Sequence, residues 1–198
     1  MTIGRFDTPS AVVIGPDEGE SLWQPLPSRG YVTVNLTPAN TPYDDFSSGI
    51  QVLPPGCSVR DHGHRQNHEL IFVYEGRGRC TIEDRTYDAV PGTTILFGRH
   101  AVHRLENTGD VDMKLFWVFF PPGLEDWFRA IGRPRTPGQP MPDAFPRPEH
   151  VREVQERMRF VVPQASVAAD AAARAAALGA AGASPAGDPA TGPTKELR

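Results

Sequence analysis

Along most of this chain the apolar positions alternate with polar ones in short runs, each closed by Gly, Pro, Asn or Asp. Tyr31 to Leu36, Ser48 to Leu53, Val59 to His64, Glu69 to Tyr74, Arg79 to Glu83, Arg85 to Ala89, Thr93 to Phe97, His103 to Glu106 and Met113 to Phe120 all read as strands. Pro54-Pro55-Gly56 and Pro91-Gly92 mark turns, and the Asp84 region marks a tight hairpin. Many short strands at regular spacing predict an all-β sandwich or barrel. Met113 to Phe120 (Met-Lys-Leu-Phe-Trp-Val-Phe-Phe) is apolar on nearly both faces, so it belongs inside the sandwich or under a covering element.

The period then changes. Leu124, Trp127, Phe128 and Ile131 fall at helical spacing and give one apolar face, which we read as packing. Val151, Val154 and Met158 mark a second amphipathic helix within Pro148 to Phe160. Between the two, Arg133 to Pro148 is proline-rich and reads as an extended linker. From Ala165 the chain turns to Ala with Gly, Ser and Pro: Ala165 to Ala181 is helical by propensity, and Gly182 to Arg198 reads as disordered. The predicted organisation is an N-terminal arm (1–30) carrying one or two short strands, a β-barrel (31–122), a helical extension with a Pro-rich linker (123–163), and an Ala/Gly/Pro-rich tail (164–198).

Composition narrows the function classes. The 198 residues carry a formal net charge of −4 with dispersed basic residues, which gives no nucleic-acid footprint. No apolar stretch reaches the roughly 20 residues of a membrane span, and Met1 to Glu20 lacks the pattern of a signal peptide. The expectation is a soluble, cytoplasmic protein with Cys57 and Cys80 reduced and buried, a single disulfide being the alternative.

The candidate chemistry lies in the histidines. Five of the six fall between positions 62 and 103. His62 and His64, two apart on a strand, point to one face, and Glu69 opens the next strand. If those two strands are neighbours in a sheet, three donors converge. Imidazoles with a carboxylate suit Fe, Mn, Ni, Zn or Cu without choosing among them. The competing reading pairs Glu69 with Arg60, which shares the parity of His62 and His64. His68 takes the opposite face to Glu69, and His150 reads as solvated. His100 is a loop residue that could serve as a base behind the ligands, while Gln51, Trp117, Tyr31 and Phe46 are candidates for a pocket wall.

The spacing Gly56, five residues, His62-x-His64, four residues, Glu69, six residues, Gly76 resembles the first cupin motif at every fixed position. The segment ending in His103 and Asn107 resembles the second motif, with Gly98 and His100 where a proline and a glycine usually stand. The resemblance spans roughly residues 30 to 122. It implies an all-β cupin double-stranded β-helix (jelly-roll barrel) with C-terminal helices. It also implies one divalent metal per chain held by His62, His64, Glu69 and His103: Fe(II) first, with Mn(II), Ni(II) or Zn(II) as alternatives. The intact ligand set differs from the metal-free sugar epimerases, and Glu69 differs from the three-histidine thiol dioxygenases. Ile71 stands where the cupin lyases acting on dimethylsulfoniopropionate tend to carry tyrosine. The layout looks like small bacterial cupins of the quercetinase-like type. That likeness implies a dioxygenase that uses O2 to cleave a C–C bond of a flavonol or dihydroxyaryl ketone, with Glu69 accepting a proton. An O2-independent isomerase, lyase or decarboxylase, and a binding module without catalysis, are the alternatives. A homodimer is the expected assembly, with a small molecule as partner and neither nucleic acid nor membrane.

Overall fold

The computed structural model describes residues 11–16 and 18–181. The expectations for residues 1–10 of the arm and for residues 182–198 of the tail lie outside the described residues. The elements run β1 Glu20–Trp23, β2 Tyr31–Leu36, β3 Ser47–Leu53, β4 Ser58–His64, β5 His68–Glu75, β6 Gly78–Ile82, β7 Arg85–Ala89, β8 Thr94–Phe97, β9 His103–Asn107 and β10 Met113–Phe120. There follow α1 Glu125–Ile131, β11 Arg133–Pro134, α2 Val151–Arg157, β12 Phe160–Val161 and α3 Gln164–Ala181.

The strands form two antiparallel sheets. One has seven strands in the order β11-β1-β2-β3-β10-β5-β8, the other five in the order β12-β4-β9-β6-β7. From β3 to β10 the chain passes back and forth between the sheets, save for the β6–β7 hairpin within one of them, so it winds around a shared interior. The buried side chains Val32, Val73, Cys80, Leu105, Leu115 and Trp117 fill it. In β10, Leu115, Trp117 and Phe119 are buried while Phe116 is more than a third exposed; its outer face is therefore open, contrary to the doubly apolar reading. Phe116 lies opposite Phe72 of β5 and Ile50 of β3 on that face.

The motif residues with no chemistry of their own shape the chain. Gly56 and Gly76 adopt φ of +72° and +73°, a region that L side chains rarely enter. A Cβ at Gly76 would also lie 2.4 Å from the Asp112 carbonyl oxygen. Asn107 is fully buried, and its amide donates to the carbonyls of Leu53 (2.7 Å) and Val111 (2.8 Å) while its oxygen accepts from the Gly109 N–H (2.9 Å). One side chain thus ties the end of β3 to the β9–β10 turn.

The segments outside 31–122 are part of the sandwich. β1 pairs with β2, β11 closes the edge against β1, and β12 pairs with β4 across His64 and Gly63. The stretch read as a linker turns at Gly138 and packs down: Phe145 is 7% exposed under the Arg133 guanidinium, whose Cζ lies 4.0 Å from its ring centroid. In α1 the periodicity gives the observed face, with Leu124, Trp127, Phe128 and Ile131 buried. Glu125 is buried too, accepting from the Ser47 hydroxyl and the Gly123 N–H, both at 2.7 Å. It fixes the helix start to β3. In the tail, Gln164–Ala181 is helix α3, anchored where the Ser166 hydroxyl donates to the Asp61 carbonyl (3.0 Å).

Candidate metal centre

His62 and His64 come from β4, His103 from β9 and Glu69 from β5. The donors meet, but not as the sequence suggested. β4 and β5 belong to opposite sheets, so Glu69 faces the three imidazoles across the interior instead of from a neighbouring strand. β4 and β9 do pair, with His62 directly opposite His103. One ligand atom from each of the four residues lies within 4.8 Å of all the others.

Backbone contacts orient two of the imidazoles. His62 Nδ1 lies 2.8 Å from the Arg60 carbonyl oxygen and His103 Nδ1 lies 3.0 Å from that of Ala101. A carbonyl accepts only, so each Nδ1 carries the proton and donates, leaving the Nε2 lone pair for the interior. His103 Nε2 sits 3.2 Å from Glu69 Oε2, and His64 Nδ1 sits 3.7 Å from the same oxygen. Phe97 stacks flat on His103, with centroids 3.7 Å apart and planes at 8°. Burial pushes His64 down to about 3, with the His103 charge adding to the effect. It also holds His62 well below the usual imidazole range, with His103 and His64 contributing. Burial that keeps His62 and His64 neutral, inward Nε2 lone pairs on His62 and His103, and a buried carboxylate suit a divalent transition metal. The four residues fit such an ion.

The competing ion pair of Glu69 with Arg60 is not seen; the charged contacts of Glu69 are with His64 and His103. A one-residue irregularity in β4 between Val59 and His62 breaks the strand parity. Val59 and His62 therefore both line the site, and Arg60 is carried to the wall of a smaller neighbouring cavity.

The cluster opens into a cavity of about 40 Å³. Gln51 lines it, as expected. Trp117 does not: it is 1% exposed in the core, where a Cβ on Gly49 would clash with its ring. His100 is exposed at φ +67° and meets the site only through its backbone, its N–H donating to the His64 carbonyl (2.8 Å). Tyr31, stacked under Arg135 at 3.7 Å, and Phe46 are likewise outside the lining. His68 stacks on Phe120, and His150 is exposed, as read from the sequence.

Several walls were not foreseen. Leu124, Trp127, Phe128 and Ile131 of α1 pack as predicted and also form an apolar wall of the cavity. Gln24 and Ser28 from the β1–β2 connection, Phe160 of β12 and Arg147 complete it. Of these only Arg147 carried a local signal: it stands between Pro146 and Pro148, which hold the backbone extended.

Comparison with known proteins agrees with this geometry. Residues 49–119 match the family model described as a cupin domain. The chain is 30% identical over 71 residues to an uncharacterized protein of Methanocaldococcus jannaschii, covering 36% of this chain and 57% of that one, so it spans less than two thirds of that relative. It is 28% identical over 92 residues to Protein SchB of Streptomyces halstedii, covering 46% of this chain and 67% of that one. Among solved structures it resembles a predicted oxalate decarboxylase from Thermotoga maritima, with a TM-score of 0.51 and 20% identity, covering 56% of this chain and 99% of that one. At that identity the likeness is one of fold. The match over residues 49–119, the two antiparallel sheets and the structural likeness agree on the fold: a double-stranded β-helix of the cupin type, with helices appended at its C-terminal side.

Proposed function

We propose that the chain is a metal-dependent enzyme holding one divalent transition metal on His62, His64, Glu69 and His103, Fe(II) first, and that it is a dioxygenase cleaving a C–C bond of a compact enolic substrate. The convergence of three imidazoles and one carboxylate in a cavity walled on one side by the apolar face of α1 carries this reading. When bound, such a metal supplies Lewis acidity toward a chelating enolate and, for a redox-active ion, a route for electrons to O2.

The protein's own groups have separable tasks. The Arg60 and Ala101 carbonyls fix the tautomers of His62 and His103. Leu105, Phe119 and the α1 side chains exclude bulk water, which strengthens every electrostatic interaction inside. Glu69 is the carboxylate placed to accept the proton a hydroxyl substrate loses on becoming an enolate. Cavity size bears on the substrate. About 40 Å³ has room for roughly three waters and not for a flavonol unless the α1 wall moves, so the compact end of the enolic range is favoured.

The same donor set supports one second reading, an O2-independent isomerase, lyase or decarboxylase that needs only Lewis acidity. An oxygen electrode separates the two. With the Fe(II)-loaded chain and compact enolisable acids or ketones, O2 uptake stoichiometric with substrate loss is the expected result. Equal turnover under strict anaerobiosis would replace the first reading with the second.

A further inference from the structure

Arg147 lies outside the residues matched by the cupin family, yet it lines both the cavity at the metal cluster and the neighbouring cavity of about 20 Å³. The two cavities share Val59, His62, Trp127 and Phe160 as walls, so Arg147 stands where they adjoin. Its guanidinium carbon lies 5.3 Å from the Trp127 ring centroid, a contact that orients the planar group. The flanking Pro146 and Pro148 restrict its backbone. Arg60 lines the second cavity as well. Burial and, behind it, the Arg60 charge together lower Arg147 to about 9, so an anion admitted here would favour its charged form. A guanidinium presents two parallel N–H donors that match a carboxylate, which a neutral guest cannot exploit equally.

We propose that Arg147 selects a small carboxylate-bearing substrate, receiving the carboxylate while a second oxygen of the same molecule faces His62, His64, Glu69 and His103. This rests on the reading of that cluster as a metal centre, and it narrows the substrate to compact acids with a second oxygen donor, such as 2-oxo, 3-oxo or hydroxy acids. Arg147 is a binding residue here; it takes no proton.

The probes are malonate and its neutral diamide, malonamide, titrated calorimetrically into the full metal-loaded chain, with metal content measured on every sample. Wild type is expected to bind malonate at least about ten-fold more tightly than malonamide. Arg147→Gln is expected to lose about ten-fold for malonate, with malonamide little changed and metal content equal; Arg147→Lys, which keeps the charge without the fork, should fall between. Equal malonate affinity in wild type and Arg147→Gln at equal metal content overturns the proposal and leaves the metal centre standing. No preference for malonate in wild type overturns it without recourse to a variant, should Arg147→Gln fail to fold. A wild-type chain that takes up no metal removes the reading beneath it, a failure visible in the metal analysis alone.

Discussion

At the scale of single residues, the site depends on imidazoles kept neutral by burial. In the metal-free folded chain His64 titrates near 3 and His62 well below its usual range. Unfolded imidazoles titrate near 6.5. Below about 6.5 the unfolded state therefore holds more protons, and stability falls as pH drops from there toward 3. The chelated protein is expected to melt roughly 5–10 °C lower at pH 5 than at pH 7.5. A melting temperature flat across that range in scanning calorimetry would contradict the burial of these rings. Cysteine reactivity gives an independent check. Burial and, behind it, the Glu69 charge together push Cys80 up to about 12, whereas Cys57 is partly exposed and raised less. Alkylation at pH 8.5 followed by mass spectrometry is expected to label Cys57 and to label Cys80 only after denaturation. That His62, His64, Glu69 and His103 come together was legible in their spacing and in the motif resemblance it carries. The fate of His100 was not, because a left-handed φ, which turns its side chain to solvent, leaves no mark on residue type.

Elements show a different division. Period-2 alternation located the strands well, and period 3.6 found the buried face of α1. Pairing between distant segments has no such local trace. That is why the sequence left open whether β4 and β5 are neighbours, when their strands lie in opposite sheets, and why it missed the irregularity that moves Arg60 off the site. The two-residue strands β11 and β12 exist only through their partners β1 and β4. Helix α1 is the element whose attachment matters most to the cavity. Glu125→Ala leaves the fully buried Ser47 hydroxyl without its acceptor, at a cost of about 2–3 kcal/mol. The expected drop in melting temperature is roughly 5–10 °C, with a smaller one for Glu125→Gln, which keeps an acceptor oxygen. Equal melting temperatures for wild type and Glu125→Ala would show that α1 is held by its apolar face alone.

The whole molecule is larger than the family match within it. Leu124, Trp127, Phe128, Ile131, Val151, Val154 and Phe160 belong to the same buried cluster as the barrel interior. A chain ended after residue 122 would expose that surface, and circular dichroism is expected to show no cooperative melt; a transition like that of the full chain would make the extension dispensable. The central claim is that this interior holds a metal, and elemental analysis of the purified full chain beside His62→Ala and Glu69→Ala tests it most directly. About one Fe, Mn or Ni per chain in wild type, lost in both variants, is the predicted result. A wild-type chain without metal, even after reconstitution with each of these ions, would contradict it.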